Sequence, residues 1–151
     1  MSRQAGPATF AVGYASGVFD LFHVGHLTLL RGARGRCRRL VVGVASDEYV
    51  ERLKGRPAVV PCAERVEIVS ALGIVDDVVV DGHLDKRVVW RRERFDAIFK
   101  GDDWRATERG ARLERDMQEL GVAVVYLPYT SHTSTTALRQ RLAGLETGAA
   151  S

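Results

Sequence analysis

A chain of 151 residues, 46% apolar and 27% charged, has the size and composition of one globular domain that buries its own core. No apolar run approaches the roughly 18 residues of a membrane span, and the opening "MSRQAGPATF" lacks a signal-peptide core. The 22 basic and 19 acidic residues leave a net charge of +3, a mild field that suits a small anionic substrate better than nucleic acid. Cys37 and Cys62 have no metal-like spacing, so a reduced, cytoplasmic setting is expected.

"TFAVGYA" (Thr9 to Ala15) reads as a buried strand. "VGHLTLLRGARG" then spaces Leu27, Leu30 and Ala33 along a helix face. "RLVVGVA" (Arg39 to Ala45) is a second strand, and Asp47 is expected to cap a short helix through Leu53. One Gly and two Pro make "KGRPAVVP" a loop. "CAERVEIVSAL" is a helix, "DDVVV" (Asp76 to Val80) a third strand, and "LDKRVVWRRERF" a further helix. "DAIFK" (Asp96 to Lys100) is the fourth strand, followed by the charged amphipathic helix "TERGARLERDMQEL". "VAVVYLP" (Val122 to Pro128) is the fifth strand. "STTALRQRLAG" is the last helix, capped by Ser134 and stopped near Gly144. A single domain over residues 9–143 is expected, with 1–8 and 144–151 as flexible termini.

Strands alternating with helices predict an α/β domain around a parallel five-stranded sheet with helices on both faces. The strands are continuous apolar runs, as doubly covered strands should be. Ligands of such sheets bind beyond the carboxyl ends of the strands, where strand order reverses. The loops after strands one, two, four and five are the polar, Gly- and His-rich ones: "SGVFDLFHVGH", "KGR", "GDDW" and "YTSHTST". They are expected on one rim, around one site.

His23 and His26 flank Gly25 where a strand hands over to a helix. A helix start offers unpaired N–H groups and partial positive charge, hence a phosphate site, and Gly25 lets an anion approach. Zinc is the poorer use for the pair, since the spacing is not i, i+4 and a third ligand lacks support. Lys54 and Arg56 sit in a loop that can fold over phosphates. Asp102 and Asp103 suit magnesium, a sugar hydroxyl, a base amino group or a turn. Trp104 is either a base platform or rim packing. "TSHTSTT" offers a second phosphate cradle at a helix start, or a capping run. No nucleophile–base pair stands out, which fits group transfer by positioning and charge stabilisation.

"GVFDLFHVGH", "KGRP" followed by Glu64 and Arg65, "KGDDW" and "TSHTSTT" together resemble the cytidylyltransferase group of the HIGH-motif nucleotidyltransferases, most of all bacterial glycerol-3-phosphate cytidylyltransferases. The likeness runs from about Val12 to Leu142. It implies a Rossmann-like, doubly wound domain, usually dimeric. It implies joining of CTP and a phosphorylated alcohol, with Mg2+, to give a CDP-alcohol and pyrophosphate. Catalysis would fall to His23, His26 and Lys54. The nucleotide would be held by Gly17, Val18, Phe19, Asp20 and Gly25 in the first segment, with Arg56 from the loop. Gly101, Asp102, Asp103 and Trp104 would complete its pocket, together with Tyr129, Thr130, Thr133, Ser134 and Thr135. Lys54, with Lys86 or Arg87, would hold the acceptor phosphate.

The last segment departs from the family's Arg-Thr-Glu-Gly-Ile-Ser-Thr signature, with Tyr129 in place of the arginine. Gly73 stands where glycerol-3-phosphate enzymes carry another arginine. Three readings stay open: a cytidylyltransferase, with glycerol 3-phosphate as first acceptor; an ATP-using adenylyltransferase of the same superfamily; and a catalytically silent nucleotide- or nucleic-acid-binding protein. Intact His23, His26 and Lys54 argue against the third.

Overall fold

A computed structural model describes residues 10–129 and 134–149. Five strands alternate with six helices. They are β1 (Phe10–Gly17), α1 (Val24–Arg34), β2 (Cys37–Ala45), α2 (Asp47–Lys54), α3 (Cys62–Ser70), β3 (Asp77–Asp81) and α4 (Arg87–Glu93), then β4 (Ala97–Gly101), α5 (Glu108–Leu120), β5 (Ala123–Leu127) and α6 (Thr135–Ala149). All neighbouring strands pair parallel, in the order β3-β2-β1-β4-β5. The chain therefore winds outward twice from the centre. The reversal lies between β1 and β4, as a doubly wound Rossmann-like sheet requires.

The pleat divides the core. Ala15, Val42 and Phe99 face Leu30 and Ala33 of α1 and Val69 of α3. Their neighbours Tyr14, Val41 and Ile98 point the other way, onto Val89 of α4 and Leu113 and Met117 of α5. Each central strand thus buries both faces, which is why its sequence does not alternate. Gly43 has a specific reason. A Cβ there would overlap the Tyr14 hydroxyl, which crosses β2 to donate to Asp81 Oδ2 at 2.6 Å.

Two boundaries differ from the sequence reading. Ser46, not Asp47, caps α2, accepting from Tyr49 N at 3.2 Å. Asp47 instead accepts from Cys62 N at the start of α3 and from the Arg65 guanidinium at 2.7 Å. Helix α6 passes through Gly144 and continues to Ala149, because a lone glycine weakens a helix without ending it. Ser134 does cap it, accepting from Ala137 N at 3.0 Å.

Candidate active site

The carboxyl ends of β1, β2 and β4 open into a cleft of about 390 Å³. Its first wall is the turn from β1 to α1. Phe19 and Leu21 both take left-handed backbone there, with φ of 55° and 51°. Such residues cost on the order of 1–3 kcal/mol each and persist only where the surroundings fix them. Asp20, 2% exposed, supplies the fixing. Its carboxylate accepts from Val59 N at 2.8 Å, Val60 N at 2.9 Å and Arg139 at 2.7 Å, and its carbonyl from Thr135 Oγ1 at 2.9 Å. Asp20 borders the cleft, and its oxygens tie the 55–61 loop and α6 to the first turn. Arg65, 1% exposed, does similar work below, donating to the carbonyls of Val18, Ala45 and Val60.

The His-x-Gly-His spacing is a capping box. His23 Nδ1 accepts from Gly25 N at 3.0 Å, and His26 Nδ1 accepts from His23 N at 3.1 Å. With both Nδ1 atoms accepting, the ring proton of each neutral imidazole sits on Nε2. Burial lowers the pKa of His23. Burial, then the neighbouring His23, lowers that of His26 to about 4. Both rings are therefore neutral donors at pH 7. His26 lines the cleft; His23 packs against it, with 4.0 Å between ring centroids. His23 Nε2 is buried and has no hydrogen-bond partner among the described residues, a donor waiting for an acceptor. The Gly25 N–H is consumed by the cap, so Gly25 shapes the helix start and does not itself present a donor.

Cations form the other walls. Lys54 ends α2 and Arg56 follows it; both line the cleft, and neither has an ion-pair partner among the described residues. Burial, then Arg56, lowers the pKa of Lys54. Lys86, 5% exposed, is held at the floor by Asp81 Oδ2 at 2.9 Å and the His83 carbonyl at 2.6 Å. Arg87 belongs elsewhere. It forks onto Asp85 and reaches Glu119 at 2.8 Å and Asp116 at 3.7 Å, away from the cleft lining. Between the two sequence candidates, geometry favours Lys86.

Of the remaining expected residues, Gly17, Val18 and Phe19 line the cleft from β1, and Gly101, Asp103 and Trp104 line it beyond β4. So do Tyr129, Ser134 and Thr135. Asp102 turns away and accepts from Tyr129 N at 3.2 Å. Thr130 and Thr133 lie outside the described residues. Trp104 sits under two cations, Lys100 Nζ at 4.2 Å and the Arg109 guanidinium at 4.6 Å, so its ring steadies charge.

Sequence reasoning missed Lys100, Asp81 and Arg109. Lys100, the last side chain of an apolar strand, is 7% exposed and donates to Ser16 O at 3.2 Å and Ser16 Oγ at 2.9 Å. Burial, then the Lys86 charge, lowers its pKa to about 7. A lysine inside an apolar run was the available signal.

The cleft sets the neutral His26 imidazole beside Lys54 and Arg56, cations without an ion-pair partner among the described residues, at the switch point of a doubly wound sheet. The cytidylyltransferase-like family model matches residues 14–141. The chain belongs to this family of HIGH-motif nucleotidyltransferases. Similar family members include FAD synthase from Pyrococcus abyssi, 36% identical over 115 residues, 75% of this chain and 77% of that protein. Bifunctional protein HldE from Acidiphilium cryptum is 40% identical over 146 residues, 93% of this chain. The chain spans only 28% of that HldE protein. The solved lipopolysaccharide core biosynthesis protein of Thermoplasma volcanium superposes with a TM-score of 0.68 at 27% identity, covering 82% of this chain and 99% of that one. No described helix is long and apolar enough to cross a membrane.

Proposed function

We propose that the chain transfers an adenylyl group from ATP to a small phosphorylated acceptor and releases pyrophosphate. The observation that carries the reaction class is the neutral His26 donor in the cleft, with the unpartnered His23 Nε2 beside it, set against cations from three other segments. An acceptor phosphate monoester is largely ionised at neutral pH, because its second pKa is near 6. Its oxygen can attack the α-phosphorus without a general base. The bond to the bridging oxygen then breaks, and pyrophosphate leaves with the electron pair. Such a step needs alignment and donors aimed at the developing charge. His23 and His26 would supply the donors through Nε2. Lys54 and Arg56 would cover the phosphates, and Lys86 would hold the acceptor.

The choice of ATP rests on likeness. FAD synthase, matched over most of its length, is named for a product that carries an adenylyl group on a flavin phosphate. CTP, the first expectation from the sequence, becomes the second reading, favoured by "KGDDW" and its resemblance. Magnesium fits as a passenger of the nucleotide. Among the described residues no three His, Cys, Asp or Glu side chains cluster to hold a metal. Mg2+ ordinarily keeps waters and substrate phosphates as ligands, and Asp103 is the carboxylate nearest that role. When bound, it would neutralise phosphate charge.

Pyrophosphate release tests this, with Mg–ATP and Mg–CTP each offered against several phosphorylated acceptors. Faster turnover with ATP is expected. Release with CTP alone would install the second reading. Binding of either nucleotide without release under any combination would leave a silent binder.

A further inference from the structure

Tyr14 is fully buried on the central strand β1, stacked on Phe95 with 4.7 Å between ring centroids. Phenylalanine would fill that space, so packing alone does not call for the hydroxyl. The hydroxyl instead reaches past Gly43 of β2 to the edge strand β3, where it donates to Asp81 Oδ2 at 2.6 Å. Burial, then the Asp81 charge, raises the Tyr14 pKa, so the phenol keeps its proton and acts as the donor.

Asp81 lines the cleft, and a bare carboxylate there would repel a phosphate. This one is fully engaged. Oδ2 also accepts from Lys86 Nζ at 2.9 Å, and Oδ1 accepts from His83 N at 3.1 Å. Lys86 donates in addition to the His83 carbonyl at 2.6 Å and lies 5.2 Å from the Tyr49 ring centroid. Two of the three ammonium protons are thereby committed, and Lys86 keeps the third at the cleft lining. A lysine on its four-carbon stem ordinarily sweeps through many rotamers. One that is held before the ligand arrives loses less freedom on binding.

We propose that Tyr14, acting through Asp81, is a positioning residue for the acceptor: its hydroxyl fixes the carboxylate that holds the Lys86 ammonium at the cleft floor. This rests on the nucleotidyl-transfer reading above, in which Lys86 holds the acceptor phosphate. Tyr14 touches no substrate. Its influence should reach the acceptor and spare the nucleotide, whose proposed donors His26, Lys54 and Arg56 belong to other segments.

The test measures pyrophosphate release by the whole chain from Mg–ATP and Mg–CTP with glycerol 3-phosphate, glucose 1-phosphate and FMN, and carries the fastest combination forward. Tyr14→Phe deletes one oxygen and keeps the ring on Phe95. It should raise acceptor KM by about tenfold, the scale of a misplaced binding group, and leave nucleotide KM unchanged. Lys86→Met should raise acceptor KM at least as much. In the Lys86→Met background Tyr14→Phe should change nothing further, because the lysine through which it acts is gone. A hydroxyl that served only the sheet would raise both KM values or neither, and any effect would persist in that background; each of these results overturns the positioning role. A second readout is independent of turnover. The Lys86 ammonium, assigned by its loss in Lys86→Met, should give a 1H–15N correlation protected from solvent exchange in the free wild type and lose that protection in Tyr14→Phe. Protection that survives in Tyr14→Phe also overturns the role, and nucleotidyl transfer then stands. Unchanged acceptor KM in Lys86→Met removes the acceptor from Lys86 and the proposal with it. No release under any combination overturns both the transfer reading and this one.

Discussion

The cleft meets its anions with two corners built on opposite principles. At the β1–α1 turn, His23 and His26 are neutral, capped into a helix start and satisfied on their backbone side. At the β4 end, Lys100 and Lys86 are buried cations with one buried carboxylate, Asp81, between them. The first corner stabilises the fold while it presents donors. The second costs stability, because an excess positive charge is kept from water until an anion arrives. In the proposed reaction, donors that stay neutral would not hold pyrophosphate too tightly to release it, and buried cations would give an acceptor phosphate a strong, directional hold.

The sharpest way to break this contrast is at the histidines. His23→Ala or His26→Ala should each lower turnover by about 10²–10³, the usual cost of one donor aimed at transition-state charge. Because both rings also cap α1, each alanine should further cost on the order of 1 kcal/mol in urea unfolding. His26→Gln separates the effects. A glutamine at this position restores the capping box, so stability should return while turnover stays low. Recovery of turnover along with stability would reduce the pair to a structural cap.

The opposite corner should respond with the opposite sign. Lys100→Met removes a charge whose pKa burial has lowered to about 7. The groups around it are Lys86 and Arg109, which lower that pKa, and Asp81 and Asp103, which raise it. The unfolded lysine binds its proton below about pH 10.4 and the folded one only below about 7. Wild-type stability should therefore decline as pH falls across that window and level off beneath it. The methionine variant should lack this decline, and at pH 7 should be more stable by on the order of 1–3 kcal/mol. Its acceptor KM should rise. A methionine variant less stable than wild type at pH 7 would show that Lys100 is held by its Ser16 bonds more than it is penalised by burial.

The two corners also differ in how far the sequence displays them. The histidine corner is local: cap, glycine and both rings lie within four residues, so spacing alone marks it. The parallel, doubly covered sheet and the rim of loops are equally legible, since unbroken apolar strands can sit only inside a covered sheet. The lysine corner is assembled across β1, β3, β4 and α5. Nothing in "DAIFK" says that Lys100 will find Ser16, 84 residues away. Lys86 and Arg87 are adjacent cations, and only the fold sends one to Asp81 and the other to Asp85 and Glu119. Asp20 was legible as a site residue, but not as the tie that holds two left-handed residues and a distant loop in place. Local capping can be read from sequence; the partner of a buried charge depends on tertiary contact.

The smallest expected effect concerns the neutrality of the histidine corner, on which the whole contrast depends. An unfolded histidine takes up its proton near pH 6.5, whereas His26 in the fold does so near 4, chiefly because burial disfavours the charge. Between those values the unfolded chain binds more protons than the folded one. Stability is therefore complete above about pH 6.5 and is lost as pH falls toward 4. There is a direct structural reason as well. Protonation at Nδ1 would destroy the acceptor that receives the His23 N–H, so the charged ring cannot keep its half of the capping box. His26 is half-buried, and the loss should be on the order of 1–2 kcal/mol rather than the full equivalent of its shift. Urea unfolding at pH 7 and pH 4.5 measures it, with His26→Gln as the reference that keeps the cap and cannot titrate. The wild type should lose more stability than the glutamine variant over that interval, and its His26 imidazole resonances should hold the neutral Nε2–H form down to about pH 4. Resonances that titrate near 6.5 would mean a cationic corner at mildly acidic pH. The cleft would then grip its anions by charge on both sides, and the division of labour between its corners would disappear.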